Sequence, residues 1–124
     1  MKTLLKLLLA ATLLAGGMLT AKAASETAPK TVIHVVTVAW KEGTSPEKIQ
    51  AALDGAAALP ANYKGITRVW TRTLKAQGGK ANVIAMEFAD EAALKAYTDS
   101  PAQKEWYKVY LDIRGESTTF DVTN

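Results

Sequence analysis

One histidine limits the chemistry that this chain can perform. His34 is the only histidine among the 124 residues, and the chain contains no cysteine. It lies within residues 31–40, T-V-I-H-V-V-T-V-A-W, a β-branched and apolar run that is typical of a strand buried on both faces. A titratable ring in such a strand is either a core residue with a satisfied hydrogen bond or one wall of a pocket. Both interpretations stay open at this point.

The remaining residue types exclude several kinds of site. A single histidine without cysteine cannot supply the ligands of a zinc centre or a Cys–His nucleophile. The carboxylates spread over residues 87–121 form no calcium-loop motif. Gly78-Gly79 is a turn signal and not a phosphate-binding loop. We therefore expect no metal and no cofactor.

Residues 1–23 have the pattern of a secretory signal peptide. A start with two lysines precedes an uncharged, mostly apolar run at residues 7–19, and Ala21-Lys22-Ala23 is a small-x-small cleavage pattern. The apolar run is shorter than the roughly 20 residues that a membrane span needs. We therefore expect cleavage after Ala23, export to the periplasm or the medium, and no membrane association afterwards. An uncleaved N-terminal anchor is the alternative.

The formal net charge of +3 comes from this leader. Three of the 15 basic residues and none of the 12 acidic residues lie in residues 1–23, so the rest of the chain carries 12 of each. A chain without excess charge has no electrostatic footprint for nucleic acid. Arg68 and Arg72, with Trp70 between them, therefore fit a solvated edge strand better than a nucleic-acid surface, and we expect no nucleic-acid partner.

Periodicity predicts a single domain over residues 31–124, joined to the leader by a linker at residues 24–30. Alternating apolar residues predict strands at residues 31–40, 66–74, 82–88 and 117–123. The first and third of these are apolar on both faces, which predicts central positions in a sheet. In the second strand, Ile66 is expected to share a face with Arg68 and Trp70, while Val69 takes the other.

Helical spacing predicts three helices between these strands. The first begins at a capping box whose first residue is Thr44. Asp90 caps a short second helix. Ser100-Pro101 then resets the chain direction, and the third helix occupies residues 102–113 and ends at Gly115.

The order β-α-β-β-α-β predicts a ferredoxin-like α+β fold, with a four-stranded antiparallel sheet and its helices on one face. A chain of roughly 100 residues buries a modest core, and no disulfide can supplement it. The helices cover one face of the sheet only, which leaves apolar side chains of the other face exposed. We therefore expect a homodimer formed through the sheet faces.

Five segments carry a family resemblance. In order they are I-H-V-V-T-V-A-W-K-E-G-T-S-P-E, A-L-P, V-I-A-M-E-F-A-D-E-A-A-L-K-A-Y, S-P-A-Q-K-E and a terminal F-D-V. In this order and spacing the chain resembles the stress-responsive dimeric α/β-barrel (A/B barrel) domain family over almost all of residues 31–122. The resemblance implies a ferredoxin-like protomer whose two sheets close into a barrel across a dimer.

The resemblance also implies a pocket between the sheet and the helices. One plant branch of the family, the olivetolic acid cyclases, cyclises polyketides without a cofactor, using a first-strand histidine and a Tyr-x-x-His-Pro-x-His segment. His34 and Tyr97 match that pattern, but Ser100 and Gln103 stand where the branch has histidines. Because an amide does not exchange a proton near neutral pH, we do not expect the cyclase mechanism here.

The residues expected to line a ligand pocket are His34, Val36, Val38, Asn82, Tyr97, Gln103 and Trp106. For Tyr97 and Trp106 the alternative is helix–sheet packing with a satisfied polar tip. Two functions remain open. We favour an exported, non-catalytic stress-response module, in which the dimer holds a small apolar or aromatic molecule or acts through its assembly. The alternative is a cofactor-independent enzyme, cyclase- or monooxygenase-like, on a small aromatic or polyketide-like substrate.

Overall fold

The computed structural model describes residues 29–124, so the predicted leader and most of the linker lie outside the described residues. The strands are β1 Val32–Trp40, β2 Ile66–Trp70, β3 Asn82–Phe88 and β4 Arg114–Val122. The helices are α1 Pro46–Ala57, α2 Leu59–Asn62, α3 Glu91–Tyr97 and α4 Pro101–Tyr110. In this part of the chain, no helix combines the length and apolar character needed to cross a membrane.

The strands form one antiparallel sheet in the order β2-β3-β1-β4. This topology confirms the predicted ferredoxin-like α+β fold. The two strands that are apolar on both faces, β1 and β3, occupy the middle of the sheet, as predicted. The edges are β2 and β4.

Alternation along the strands separates two faces of the sheet. The helix face carries Val32, His34, Val36 and Val38 on β1, opposite Phe88, Met86, Ile84 and Asn82 on β3. Its apolar members form the core together with residues of the helices. The opposite surface, the open face, carries Ile33, Val35, Thr37, Val83, Ala85, Glu87, Thr118, Phe120, Val122, Arg68 and Trp70.

The second strand is shorter than predicted, and the sheet faces on which its residues lie also differ from the prediction. A register shift between Ile66 and Arg68 adds one residue to β2, so that Ile66 and Val69 both lie on the helix face. The prediction that Ile66 shares a face with Arg68 was therefore wrong. The strand also ends at Trp70 instead of residue 74. Beyond it, the Thr73 hydroxyl bonds both the backbone nitrogen and the carbonyl of Val83, which replaces the strand ladder.

The helix starts follow the predicted capping chemistry with one correction. Asp90 caps α3, as predicted, and Ser100, where the chain changes direction, caps α4. Ser45 caps α1, because its hydroxyl accepts a hydrogen bond from the backbone nitrogen of Lys48. The Thr44 hydroxyl instead donates to the carbonyl of Lys41, at 2.6 Å, and closes the preceding turn.

Gly115 lies inside β4 and does not end the last helix, which stops at Tyr110. A Cβ atom added at Gly115 would approach the carbonyl oxygen of Ala39 to 2.7 Å. This close approach coincides with a register shift between Val38 and Trp40 in the β1–β4 ladder. The glycine is thus required by a near contact of two strands and not by a helix terminus.

Candidate functional site

A cavity of about 120 Å³ lies between the helix face and the last two helices. The sheet contributes His34, Val36, Arg114, Ser117 and Thr119, and the helical layer contributes Leu94, Tyr97, Thr98, Gln103, Trp106, Tyr107 and Tyr110. A wider depression of about 510 Å³ beside α3 and the end of β4 is open to solvent. The smaller cavity is the more enclosed of the two, and buried polar atoms line it.

His34 is fixed by a carboxylate from the neighbouring strand. It lies opposite Asp121 in the β1–β4 ladder, and its Nδ1 is 2.5 Å from Asp121 Oδ1. The ring also packs edge-on against Phe88, with centroids 5.9 Å apart. A neutral imidazole in this position donates its Nδ1 proton to the carboxylate, which leaves the lone pair on Nε2. Within residues 29–124, Nε2 makes no hydrogen bond.

Two tyrosine hydroxyls at the cavity are buried without partners. Tyr97 and Tyr110 are 4% and 2% exposed, and neither hydroxyl has a hydrogen-bond partner within the described residues. Burial raises the pKa of Tyr97 well above its ordinary value. Burial also raises the pKa of Tyr110, although nearby Arg114 and Ser117 act in the opposite direction. Because buried polar groups in native proteins are almost always hydrogen-bonded, both hydroxyls are available to a bound molecule or water.

The helical wall of the cavity is a rigid aromatic cluster. The rings of Trp106 and Tyr110 stack, with centroids 4.3 Å apart and an interplanar angle of 11°. Tyr107 packs against both rings. The indole nitrogen of Trp106 donates to the carbonyl of Ala52, at 2.9 Å, which anchors the cluster to α1. Such a wall provides apolar contact area whose rings are already ordered.

The two residues that depart from the cyclase pattern have structural partners. The Ser100 hydroxyl accepts a hydrogen bond from the backbone nitrogen of Gln103. The Gln103 amide oxygen accepts from the backbone nitrogen of Asp99, at 2.7 Å, and its nitrogen donates to the Tyr107 hydroxyl, at 3.1 Å. Asp99 has a φ of 62°, so these bonds stabilise a left-handed turn between α3 and α4. Neither side chain is a proton-transfer group.

The structure brings five of the seven candidate pocket residues together: His34, Val36, Tyr97, Gln103 and Trp106. Val38 and Asn82 lie farther along the sheet and do not line the cavity. Val38 is fully buried in the core, and the Asn82 side-chain oxygen accepts a hydrogen bond from the indole of Trp40, at 2.8 Å. Ligand binding by the other five stays a prediction.

Sequence reasoning missed the polar contribution of β4. The alternation of F-D-V places Asp121 on the face opposite Phe120, but only the strand register sets Asp121 opposite His34. Arg114 pairs with Trp40 beyond a register shift, which no local pattern indicates. Within residues 29–124, no three His, Cys, Asp or Glu side chains cluster closely enough to hold a metal ion.

Solved structures of several proteins share this fold. A protein from Arabidopsis thaliana, At3g17210, is 23% identical, with a TM-score of 0.68 over 75% of this chain and 94% of that one. A hydroxynitrile lyase from Passiflora edulis is 16% identical, with a TM-score of 0.69 over 78% and 95%. A dimeric ferredoxin-like protein of unknown function from Bacteroides fragilis is 16% identical, with a TM-score of 0.62 over 77% and 97%. At these identities the likeness concerns the fold alone.

The family follows from the sequence itself. No curated protein matches the chain. The model of the Stress responsive A/B Barrel Domain, however, matches residues 32–124, which include every strand and helix described above. The strand order and the placement of the helices on one face of the sheet agree with the fold that the resemblance implied. The chain therefore belongs to the stress-responsive A/B barrel domain family.

Proposed function

We propose that this protein binds a small molecule in the cavity between the helix face and the last two helices, and releases it unchanged. The ligand is an aromatic ring, or an apolar group of similar size, that carries an oxygen substituent. The observation that supports this proposal is the pair of buried hydroxyls of Tyr97 and Tyr110, to which residues 29–124 provide no hydrogen bond of good geometry, beside an enclosed space.

The size of the cavity supports a ligand of about one ring. A dry apolar cavity of roughly 150 Å³ holds a benzene molecule, so 120 Å³ accommodates a group of comparable size. The stacked rings of Trp106 and Tyr110 supply the apolar contact. An oxygen on the ligand then restores the hydrogen bonds that the tyrosine hydroxyls lack, and this compensates for their desolvation.

A screen of single-ring compounds tests this proposal. Phenol, benzyl alcohol, benzaldehyde and benzamide are added to the purified protein, and binding is followed by thermal unfolding and by amide chemical shifts. We expect at least one compound to raise the unfolding temperature and to shift signals of residues that line the cavity. Tyr97→Phe should weaken that binding, while Tyr63→Phe, which removes a hydroxyl already bonded to Ala93, should not. Absence of any shift at the cavity across the set would refute the proposal.

A second function, cofactor-independent acid–base catalysis, is favoured by the His34–Asp121 pair. The carboxylate orients the imidazole through Nδ1, which leaves Nε2 as the nitrogen that could act as a general base. The partner that the cyclase pattern would provide is absent, because Gln103 cannot exchange a proton. A base acting alone suits a single proton abstraction from a carbon or oxygen acid. It does not suit a mechanism that needs two titrating side chains.

The two functions make opposite predictions about the bound compound. Each compound that binds is incubated with the protein and then recovered and analysed by mass spectrometry. Recovery of unchanged compound supports binding. Conversion that is lost in His34→Ala, with the fold and the affinity retained, would instead support the enzyme.

We also propose that the protein is a homodimer joined through the open face. Three large apolar side chains of this face are substantially exposed: Trp70 at 48%, Phe120 at 58% and Val122 at 61%. Contiguous apolar surface of this kind usually marks an interface. A sheet partner would bury it, in keeping with the dimeric state described for the Bacteroides fragilis protein.

Export is the last part of the proposal, and it rests on residues 1–23 alone. The charged start, the apolar run and the Ala21-Lys22-Ala23 pattern support cleavage after Ala23. Expression of the full chain in a bacterial host, followed by fractionation and intact-mass measurement, tests this. We expect an exported product that begins at Ala24. A cytoplasmic product of full length would contradict it.

A further inference from the structure

Arg114 brings a fixed positive charge to the cavity. Its side chain lines the space from the first position of β4, and its guanidinium lies 5.8 Å from the ring centre of Tyr110. Within residues 29–124, it forms no salt bridge with a carboxylate, whereas Arg68 is paired with Glu87. An arginine that borders an aromatic space without an acidic partner is suited to bind an anion.

The rest of the lining does not balance this charge. None of the side chains that line the cavity is acidic, and Asp121 lies beside the cavity with its carboxylate on His34. The aromatic wall shields Arg114 from solvent on one side only, and this partial shielding weakens the screening of its charge toward a group inside the cavity. The cavity therefore favours a ligand of negative charge over a neutral or cationic ligand of the same shape.

Two further donors lie at the same end of the cavity. Within residues 29–124 the Tyr110 hydroxyl makes no hydrogen bond of good geometry, although Arg114 and Ser117 lie close enough to act on its oxygen as hydrogen-bond donors and to lower its pKa. Ser117 also lines the cavity, opposite Val38 in the ladder and therefore toward the Arg114 end of β4. His34 and Asp121 lie toward the other end of that strand. The Arg114 end of the cavity thus collects hydrogen-bond donors, and no carboxylate among the lining residues pairs with them.

We infer that the ligand of this cavity is a small carboxylic acid, whose carboxylate binds between the Arg114 guanidinium and the Tyr110 hydroxyl while its ring or apolar body contacts Trp106. The inference rests on the proposed function and specifies its ligand class. A carboxylate has two oxygens in a plane that matches the fork of a guanidinium, and it accepts the tyrosine proton as well. The half-exposed position of Arg114 lets the charged group remain at the cavity mouth.

Benzoate and benzamide test this inference, because they have nearly the same shape and differ in charge. Their dissociation constants are measured by amide chemical shifts at neutral pH and low salt. We expect benzoate to bind about tenfold or more tightly than benzamide, as is usual for hydrogen bonds to a charged group. The preference should decrease as salt is added, because part of the attraction is electrostatic.

Variants of Arg114 test whether this side chain causes the preference for benzoate over benzamide. Arg114→Gln should abolish the preference for benzoate while benzamide binds as before, and Arg114→Lys should retain part of it. Arg72→Gln is the matched control, since Arg72 is exposed beyond β2 and does not line the cavity. If Arg114→Gln does not fold, the two compounds are compared in the wild type with and without salt. This comparison still shows whether the cavity prefers the charged compound.

Each failure has a distinct meaning. Equal affinities of benzoate and benzamide in the wild type would overturn the inference and leave the proposed function intact. A preference that survives in Arg114→Gln would overturn the assignment to Arg114. If neither compound nor any other member of the screen perturbs the cavity, the proposed function fails and the inference fails with it.

Discussion

His34 Nδ1 and Asp121 Oδ1 lie 2.5 Å apart across the ladder between β1 and β4. The imidazole lines the cavity and is 18% exposed, whereas the carboxylate is 48% exposed. The pair therefore connects the interior of the protein to solvent through one hydrogen bond. Because both residues are set by strand pairing, the orientation of the ring depends on the edge strand β4.

The first prediction concerns the protonation of this ring. We expect neutral His34 to carry its proton on Nδ1, because the Asp121 carboxylate accepts it. Nitrogen chemical shifts of the imidazole distinguish the two tautomers directly. In Asp121→Asn the charge is lost, and we expect a mixture with the Nε2-protonated form. Asp112→Asn, in the turn after α4, is the control and should leave the spectrum unchanged. A wild-type ring protonated on Nε2 would contradict the assignment.

The second prediction compares two tyrosines whose rings touch, with centroids 5.4 Å apart. The Tyr63 hydroxyl donates to the carbonyl of Ala93, at 2.7 Å, whereas the Tyr97 hydroxyl has no partner within the described residues. Tyr63→Phe should lower the free energy of unfolding by about 1 kcal/mol. Tyr97→Phe should leave it unchanged or raise it by about 1 kcal/mol, since an unsatisfied buried group is removed.

Urea unfolding of both variants beside the wild type measures the difference. Because both substitutions keep the aromatic ring and remove only the hydroxyl, the hydroxyl accounts for the contrast. An equal loss of stability in both variants would mean that the Tyr97 hydroxyl is already bonded, for instance to a tightly held water.

The third prediction concerns acid stability. Arg68 Nε lies 2.6 Å from Glu87 Oε2, and this hydrogen bond holds the pKa of Glu87 below its ordinary value of 4.5. A carboxyl whose pKa is lowered by folding stabilises the protein above its unfolded pKa, and this contribution disappears as the pH falls through the folded pKa. Arg68→Gln removes the main cause of the lowering. The pKa of Glu87 should then rise, so the variant should be less stable than the wild type near neutral pH, and this difference should disappear as the pH falls through the folded pKa of the wild type.

Free energies of unfolding between about pH 2 and pH 7 test this shift. Arg72→Gln is the control, because it removes the same charge from an exposed position nearby. If Arg68→Gln and Arg72→Gln have the same pH profile as the wild type, the ion pair has no role in acid stability.

The sequence was sufficient for the fold and for one wall of the cavity. The two-sided apolar character of β1 and β3 indicated their central positions, and alternation placed His34 with Val36 on the helix face. Successive side chains of a strand lie on alternate faces of the sheet. The face of each residue can therefore be predicted within one strand. Where a bulge adds a residue, as between Ile66 and Arg68, the alternation fails and the prediction fails with it.

The charged parts of the site could not be predicted because they depend on pairing between distant segments. Asp121 meets His34, and Arg114 reaches the cavity, only through the register of β4 against β1. That register includes the shift between Val38 and Trp40, where Gly115 permits close approach of the two backbones. No pattern within a single strand specifies such a shift.

The last prediction tests the dimer through one exposed side chain. Phe120 lies on the open face opposite Val35 and is 58% exposed, so a face-to-face partner would bury it. Phe120→Glu places a charge without a partner in that interface, which costs about 3 kcal/mol or more and corresponds to roughly a hundredfold weaker association. Light scattering after size exclusion should therefore detect a dimer for the wild type and a monomer for this variant at micromolar concentration.

Val109→Glu is the matched control, because Val109 is 42% exposed on α4, on the opposite side of the molecule from the open face. We expect it to remain dimeric. A monomeric wild type would refute the dimer itself. A dimer that persists in Phe120→Glu but dissociates in Val109→Glu would place the interface on the helices, and the exposed sheet face would then need a different explanation. The two variants add the same charge, so a difference between them can arise only from where the partner binds.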